Sequence, residues 1–489
     1  MTNELLIEAG PHETRVAVLE AGELVEVHIE RPAEPAVVGS IYKGRVSRVV
    51  PGIQAAFVDI GLDRDAFLFA GDLQRSGPVD LSSENGEVRH RPIAEQVQQG
   101  QELLVQGVKE SLPGKGARIS SQISIPGRFL VLLPGSAGVG VSRRIEDPAE
   151  RQRLEELVQA MMPAGDGVIV RTAAENGSKE ELRRDLDRLN RTRQEIEMEA
   201  ASTQAACLVR GEMNLALRVA RDFLNESYSE VWIEGPSAYA AVESYLSDRD
   251  RDFVPWLRLY EGETSLFDRR GVDAAIAKAM RTRVWLKSGG FIVINPTEAL
   301  VAIDVNSGRN TEASELEATA LQTNLEAAEE SARQIRLRDL AGIIVVDFID
   351  LMEPDNRAEL VATFAGALDR DRTRIQVSEM SDFGLVAVTR KRMRGGLRQR
   401  LTRVCPCCSG EGRIKDAATI GLELDRALRK MSDDVLDRGV RVRLNSRTKA
   451  DLEGAQDKLL EAIQKGVGVE LELAAADDLG LDEFEIQPK

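Results

Sequence analysis

The chain has 489 residues, of which 43% are hydrophobic and 30% are charged, and its formal net charge at pH 7 is −17. A chain of this length is too long for one hydrophobic core, so we expect three or more domains. It has no run of eighteen apolar residues and no basic N-terminal region before an apolar core. The sequence thus predicts neither a membrane span nor a signal peptide, and we expect a cytoplasmic protein.

Short strands are predicted throughout the first 121 residues. The alternating segments 14–19 and 24–29 flank Ala21-Gly22 and predict a β-hairpin. Residues 38–121 contain short strands separated by glycine turns, with a polar insertion at residues 75–95. This pattern is typical of a small β-barrel and resembles an OB-fold of the type that binds RNA.

Aromatic and basic residues occur together in this predicted barrel. Phe57 and Phe67 lie on predicted strands, with Lys43, Arg45 and Lys115 nearby. Aromatic rings and cations on one barrel face stack the bases and hold the phosphates of single-stranded nucleic acid. The alternative is that both rings fill the barrel core.

The next segment alternates strands and helices. Residues 127–133 and 167–170 are predicted strands, residues 148–161 and 178–205 are predicted helices, and helices and strands alternate over residues 208–285. Arg171 and Thr172 follow the second strand. An arginine and a hydroxyl at a strand end can hold a terminal phosphate, although arginine is also common at strand ends without such a role.

The most informative stretch is residues 300–350. Two apolar, β-branched runs each end near an acid, Asp304 in the first and Asp347 in the second, and residues 311–338 between them have helical spacing. A strand–helix–strand unit would bring the two acids together, with the Asn306 amide beside them. Such an all-oxygen set suits Mg²⁺. The alternative is that each aspartate caps the following helix or turn.

A basic strip at residues 390–403 contains seven Lys/Arg and no acid, although the chain as a whole is acidic. Such a strip can bind phosphates, and the alternative is a solvated helix face.

The strip is followed by Cys405-Pro406-Cys407-Cys408, in which Cys405 and Cys408 have C-x-x-C spacing. Structural zinc takes four ligands, so the simplest site is one Zn²⁺ shared by two chains. A redox pair is the alternative, but no thioredoxin-like strand–helix context surrounds it. Residues 417–489 predict a small acidic module with helices at 418–432 and 449–465 and strands at 440–444 and 468–473.

Several of these motifs together resemble the ribonuclease E/G family over essentially the whole chain. The matching stretches are residues 41–46 (IYKGRV), 54–59 (QAAFVD), 302–306 (AIDVN), 323–328 (TNLEAA), 336–340 (RLRDL), 346–350 (VDFID) and the cysteine knuckle. The chain has no long Pro/Arg-rich tail before its end at Lys489, so we expect it to match the shorter members of the family.

The resemblance implies a multidomain α/β architecture. An RNase H-like domain without catalytic acids would comprise residues 1–37 and 216–279, and an OB-fold residues 38–121. A sensor for an RNA 5′ monophosphate would occupy residues 122–215, and a DNase I-like catalytic subdomain residues 280–400. A zinc link at residues 401–416 and a small dimerisation domain at residues 417–489 would complete the chain.

The resemblance also implies roles for individual residues. Mg²⁺ would bind Asp304 and Asp347, with Asn306 as the supporting amide. Phe57, Phe67 and Lys115 would grip RNA, and Cys405 and Cys408 would hold a zinc ion shared between two protomers, while Cys407 occupies a variable position. The 5′-sensor positions are Gly127, Val131, Arg171, Thr172 and, as supporting charge, Arg374.

The implied activity is that of a Mg²⁺-dependent, single-strand-specific endoribonuclease stimulated by 5′-monophosphate ends. It would leave 5′-phosphate and 3′-hydroxyl products in rRNA and tRNA processing and in mRNA decay, as a homodimer or tetramer. Three alternatives remain: the catalytic half of a longer family member, a non-catalytic RNA-binding assembly factor, and a Mg²⁺ phosphodiesterase acting on small molecules.

Overall fold

A computed structural model describes residues 3–32, 36–73, 91–111, 116–162, 165–225, 227–308, 316–391, 395–431 and 439–488. The chain divides into two compact units, residues 1–400 and residues 401–489. Among the described residues, no helix combines the length and the apolar character needed to cross a bilayer.

The first sheet joins two distant parts of the chain. Its strands are β1 (Asn3–Ala9), β2 (Thr14–Glu20), β3 (Glu23–Glu30), β14 (Tyr228–Glu234) and β15 (Leu257–Tyr260), in the order β15-β14-β1-β2-β3. Ala21 and Gly22 between β2 and β3 both have positive φ, as a tight hairpin turn requires, which confirms the predicted hairpin. The helices of this region are α4 (Leu215–Asp222), α5 (Pro236–Arg249), α6 (Leu266–Arg269) and α7 (Val272–Ala279).

A closed five-stranded barrel follows, as predicted. Its strands are β4 (Ile41–Val50), β5 (Ala55–Asp59), β6 (Ala66–Phe69), β7 (Glu102–Lys109) and β8 (Arg118–Ser120). They pair in the order β4-β5-β6-β8-β7, and β7 closes the barrel on β4. The barrel core contains Ala56, Val58, Ala66, Leu68 and Ile119, all fully buried. The short helix α1 (Ile93–Gln96) accompanies the barrel, and β13 (Cys207–Arg210) adds to the outer edge of β4.

A small sheet with two helices comes next. Its strands are β9 (Ile125–Pro126), β10 (Leu130–Leu133), β11 (Gly138–Val141) and β12 (Gly167–Val170), and its helices are α2 (Pro148–Gln159) and α3 (Lys179–Ser202). Helix α3 starts with a capping box in which Ser178 and Glu181 satisfy each other's backbone N–H groups. Its buried Asp185 accepts the N–H groups of Phe129 and Leu130 and thereby fixes the turn before β10.

The candidate acids lie in a six-stranded sheet of the first unit. Its strands are β16 (Arg283–Trp285), β17 (Phe291–Pro296), β18 (Leu300–Asn306), β19 (Gly342–Asp347), β20 (Ile375–Val377) and β21 (Leu385–Arg390), in the order β16-β17-β18-β19-β21-β20. Strands β18 and β19 are parallel and are connected by α8 (Leu316–Leu337), which confirms the predicted strand–helix–strand unit. Helices α9 (Pro354–Leu368) and α10 (Leu397–Leu401) follow.

The second unit is a three-stranded sheet with helices. It contains α11 (Ala417–Leu428), β22 (Val440–Leu444), α12 (Ser446–Glu453), α13 (Asp457–Val467), β23 (Leu471–Ala475) and β24 (Phe484–Pro488). The helix predicted at residues 449–465 is two helices, because Gly454 leaves the helical conformation after α12. Strand β24, which no predicted element covers, has the short sequence FEIQP and pairs antiparallel with β22.

Buried ion pairs connect α8 to the first sheet. The Arg336 guanidinium is 6% exposed and donates from Nη2 to Glu20 Oε1 and Glu26 Oε1, both at 2.8 Å. Burial alone would raise the pKa of Glu26, but a hydrogen bond with His28 and the charges of His28, Arg372 and Arg336 lower it to about 2. The helix beneath the acids is therefore fixed electrostatically to the β2–β3 hairpin.

We predict that Arg336→Met destabilises the first unit by about 3 kcal/mol at pH 7, since two carboxylates would remain in a largely buried site without their cation. The Glu26 pKa is lowered by folding, so its contribution is complete above about pH 4.5 and is lost as the pH falls towards about 2. The difference from wild type should therefore shrink in acid. Urea unfolding followed by tryptophan fluorescence at several pH values measures this. Arg210→Met, which removes an exposed ion pair with Glu195, is the control and should cost less than about 1 kcal/mol.

Candidate active site

Asp304 and Asp347 are direct neighbours across the parallel pair β18–β19. The register pairs Asp304 with Asp347, and both side chains are exposed. Ile303, Val305 and Val346, the adjacent residues in these strands, are buried in the core. Because side chains alternate between the faces of a sheet, this apolar pattern directs both acids to the open face. The predicted meeting of the two acids is thus what the structure shows.

An amide and a third carboxylate lie beside this pair. Asn306 Nδ2 donates to Asp304 Oδ2 at 2.7 Å, which orients that carboxylate. Asp350 is exposed three residues after Asp347, and a Cβ at Gly384 would lie 3.3 Å from its Oδ1, so Asp350 sits over the start of β21. Asp350, which ends the same VDFID motif as Asp347, was not among the predicted site residues.

The electrostatics of the pair favour a bound cation. Partial burial and the negative charges of Asp304 and Asp350 raise the pKa of Asp347 above its ordinary value. A divalent ion would relieve this repulsion, and two carboxylates with a supporting amide fit Mg²⁺, which keeps several water ligands. Among the described residues, no cluster of three or more His, Cys, Asp or Glu side chains is arranged to hold a metal by itself. Two carboxylates with a supporting amide would suit a partly hydrated ion.

The two barrel phenylalanines lie outside the core. Phe57 and Phe67 face each other across β5 and β6, with ring centroids 6.0 Å apart and ring planes at 76°. Both rings are half-buried on the outer side of the barrel, opposite the core face formed by Ala56, Val58, Ala66 and Leu68. The guanidinium of Arg48, which the sequence analysis did not single out, lies 4.9 Å from the Phe57 ring centroid. This arrangement offers an aromatic and cationic surface.

Two of the other predicted cations of the barrel, Lys43 and Arg45, are paired with an acid. The Lys43 ammonium donates to the carbonyl oxygens of Ala200 and Thr203 and pairs with Glu102, so it caps the end of α3. Arg45 is exposed and pairs with the same Glu102 at 3.0 Å. Lys115 lies outside the described residues, and its predicted role stays a prediction.

The predicted phosphate-sensor residues meet between the small sheet and α4. Arg171 Nη1 donates to the carbonyl oxygen of Gly127 at 2.6 Å and to Asp222 Oδ1 at 2.8 Å. The Thr172 hydroxyl lies 2.9 Å from the Ser142 hydroxyl. Val131, half-buried on β10, pairs with Ile169 on β12. The structure thus gathers an arginine, a hydroxyl and a turn at one strand end.

Arg374 lies in the segment just before β20, a strand of the acid-bearing sheet, and this segment contacts the region of the predicted sensor residues. The neighbouring Arg372 donates to the Asp222 carbonyl oxygen at 3.3 Å and to the Tyr228 hydroxyl at 2.7 Å. Arg144 Nη2 donates to the carbonyl oxygen of Asp371 at 2.6 Å. Arg374 itself is exposed. Asp222, which no sequence pattern marked, therefore contacts both Arg171 and the segment that carries Arg374.

Two arginines of the basic strip, Arg390 and Arg400, take part in folding contacts; Arg392 and Arg394 lie outside the described residues. Arg390 is buried and pairs with Asp371 and Asp339, and Arg400 donates to the carbonyl oxygens of Gly395 and Ile29. At least these two side chains therefore serve folding contacts.

The cysteine knuckle belongs to the second unit. Backbone hydrogen bonds from Cys407 and Cys408, with a further contact to the Cys408 side chain, lower the pKa of the Cys405 thiol. The Gly412 N–H lies 3.3 Å from Cys408 Sγ, and Ser409 and Gly410 have positive φ. Amide groups directed at two sulfurs in a tight turn suit thiolates bound to a metal, so Cys405 and Cys408 fit half of a tetrahedral zinc site. Cys407 is exposed.

Comparison with known proteins supports the predicted resemblance. Residues 124–393 match the model of the ribonuclease E/G family, a range that includes both acids and all the sensor positions. The chain is 41% identical to ribonuclease G of Escherichia coli strain K12 over 428 residues, which cover 88% of each protein. It is 40% identical to ribonuclease G of Haemophilus influenzae, covering 87% of each. It is also 37% identical to ribonuclease E of Escherichia coli strain K12, covering 88% of this chain and 40% of that protein.

Proposed function

The chain belongs to the ribonuclease E/G family, and on that premise we propose that it is a Mg²⁺-dependent endoribonuclease that cuts single-stranded RNA. The observation that carries this proposal is the Asp304–Asp347 pair on the open face of the sheet, with Asn306 hydrogen-bonded to Asp304. A family member could lack catalysis and only bind RNA, but that role would leave two mutually repelling acids without a purpose.

The proposed chemistry is hydrolysis of a backbone phosphodiester. Asp304 and Asp347 would hold Mg²⁺, and Asn306 keeps the Asp304 carboxylate in its orientation. When bound, Mg²⁺ lowers the pKa of a water and neutralises charge on the phosphoryl oxygens. Water attacks phosphorus in line and the bond from phosphorus to the 3′ oxygen breaks, while the 3′ oxygen takes up a proton. The products are a 5′-phosphate and a 3′-hydroxyl.

The barrel supplies the preference for unpaired RNA. Phe57 and Phe67 form an edge-to-face pair outside the core, and Arg48 lies over the Phe57 ring. A base can stack on such a surface only when it is free of its own helix. The family resemblance points to precursors of rRNA and tRNA and to mRNA as substrates.

A 5′-monophosphate end would be recognised by Arg171 and Thr172 beside Gly127 and Val131. Arg171 Nη1 is engaged with Gly127 and Asp222, which fixes the guanidinium plane. A fixed fork is suited to bidentate bonding of a terminal phosphate. Arg374 would add positive charge from the neighbouring segment.

We predict that Asp304→Asn lowers the cleavage rate of a defined single-stranded RNA at least 100-fold and changes RNA affinity less than about threefold, because the carboxylate holds the metal and the barrel holds the RNA. Gel-resolved cleavage in Mg²⁺ or EDTA and fluorescence anisotropy measure the two effects. Glu359→Gln, which removes an exposed acid from α9, is the control with the same change of charge. Wild-type cleavage by the Asp304→Asn variant, or full wild-type activity in EDTA, would contradict the metal role.

We predict that Arg171→Ala reduces the ratio of cleavage rates for 5′-monophosphate and 5′-hydroxyl RNA to about 1. The variant loses the fork that bonds the phosphate, while the acids are unchanged, so cleavage of 5′-hydroxyl RNA should persist. Arg183→Ala, which replaces an exposed arginine on α3 in the same part of the chain, should keep the wild-type ratio. An unchanged preference in Arg171→Ala would remove this residue from the sensor.

We further propose a homodimer, or a dimer of dimers, linked by zinc shared between Cys405 and Cys408 of two chains. Metal analysis should give about 0.5 Zn²⁺ per chain, because each chain supplies two of the four ligands. Cys405→Ser should lose the zinc and form monomers in sedimentation, whereas Cys407→Ser should retain both zinc and dimer. One full zinc per monomeric chain would exclude sharing.

A further inference from the structure

The TNLEAA motif at residues 323–328 has no role in the proposed chemistry, yet its side chains reach the loops around both acids. It lies on α8, which connects the two strands that carry Asp304 and Asp347. Asn324 is completely buried, and Thr323 is 2% exposed.

Asn324 is bonded to the backbone just after Asp347. Its Nδ2 donates to the carbonyl oxygen of Ile349 at 2.8 Å, and its Oδ1 accepts the Ile349 N–H at 2.9 Å. Ile349 lies two residues after Asp347 and directly before Asp350. The completely buried Asn324 amide therefore holds both the N–H and the carbonyl oxygen of Ile349, the residue between Phe348 and Asp350.

The two other polar residues of the motif contact the segment before β17. A Cβ at Gly290 would lie 3.0 Å from the Thr323 methyl group and 2.7 Å from the carbonyl oxygen of Asn306, so Gly290 is packed between them. The Glu326 carboxylate accepts the Ser288 N–H at 2.8 Å. One helical turn thus supports the backbone beside Asn306 on one side and beside Asp347 on the other.

We infer that Asn324 is a positioning residue of the active site, which sets Asp347 and Asp350 relative to Asp304 for binding of the divalent ion. The predicted effect of Asn324 on catalysis rests on the proposed function, whereas its predicted effect on metal binding does not. The physical reason is that Asp347 is the last residue of β19: it pairs with Asp304 on β18 and Leu385 on β21, but no further ladder pairs follow it along the chain. Beyond it, Phe348 is packed in the core and the backbone of Ile349 is held by Asn324, so a shift of the Ile349 peptide moves the chain next to the carboxylate.

Two substitutions separate positioning from simple stability. Asn324→Leu keeps the number and branching of the side-chain heavy atoms but removes both hydrogen bonds to Ile349. Asn324→Asp keeps the acceptor for the Ile349 N–H and, only when protonated, has an O–H that donates to the Ile349 carbonyl oxygen. Val388→Ala is the matched control, because Val388 is fully buried in the same core and contacts the strand rather than the loop.

The first measurement is binding of Mn²⁺, as a probe of the divalent-ion site, to the RNA-free full chain by electron paramagnetic resonance. We expect Asn324→Leu to weaken Mn²⁺ binding at least tenfold, the size found when groups that orient metal ligands are removed. Hydrogen exchange should show faster exchange in the peptide that contains residue 349. Val388→Ala should bind Mn²⁺ within about twofold of wild type even if its melting temperature is equally lowered.

The second measurement is cleavage of a single-stranded RNA in Mg²⁺. We expect Asn324→Leu to lower kcat about 10- to 100-fold with KM changed less than twofold. For Asn324→Asp, the rate relative to wild type should rise as the pH falls from 8 to 6, because burial favours the protonated carboxyl that restores the bond.

Mn²⁺ binding by Asn324→Leu within twofold of wild type, or a kcat no lower than that of Val388→Ala, would overturn the inference. If Asn324→Leu does not fold, the pH dependence of Asn324→Asp decides, and a ratio that is flat or falls in acid would overturn it. If the wild type itself fails to cut RNA, the proposed function fails while the Mn²⁺ measurement still tests the positioning role.

Discussion

The parallel pairing of β18 with β19 is the constraint on which the candidate site depends. It places Asp304 opposite Asp347, at the spacing of neighbouring strands, where two carboxylates repel each other. The alternation of buried residues in both strands fixes the register, because a slip of one residue would turn the acids into the core and the apolar side chains into water. The raised pKa of Asp347 reflects the free-energy cost of keeping its carboxylate charged beside Asp304. The apolar core of the sheet overcomes that cost, and a bound cation would remove it.

Helix α8 connects β18 to β19 and also binds this pair of strands to another sheet of the first unit. Arg336 near its C-terminal end pairs with Glu20 and Glu26, and Arg333 Nη1 donates to the carbonyl oxygen of Leu24, so the helix is bound to the β2–β3 hairpin. At its other half, Asn324 holds the loop after Asp347. Arg336 of the RLRDL motif and Asn324 of the TNLEAA motif thus make different contacts from one helix. The first docks the helix on another sheet, and the second fixes the loops beside the acids.

The elements of the fold and site that could be predicted from the sequence are those that local residue patterns encode. Apolar runs ending near Asp304 and Asp347, with a helical spacing between them, were sufficient to predict their meeting, and glycine turns were sufficient for the barrel. The sensor positions came from family resemblance, since Arg171 at a strand end is an ordinary feature. Partners distant in sequence were missed. Nothing local indicates that Asp222 pairs with Arg171, or that the Lys43 ammonium caps a helix ending near residue 200. The strand β24 was missed because its sequence, FEIQP, is short and follows an acidic turn, so that its pairing with the distant β22 decides its conformation.

These pairings also explain how a chain with a net charge of −17 can meet a polyanion selectively. Several cations near the proposed path of the RNA are already matched with acids: Lys43 and Arg45 with Glu102, and Arg171 with Asp222. RNA therefore meets a surface on which these charges are largely neutralised, and non-specific attraction is correspondingly reduced. In the proposed sensor, a terminal phosphate would bind the remaining donors of the Arg171 guanidinium while Nη1 stays bonded to Asp222. Because the Asp222 carbonyl oxygen also accepts a hydrogen bond from Arg372, Arg171 is linked through Asp222 to the segment before β20 of the acid-bearing sheet.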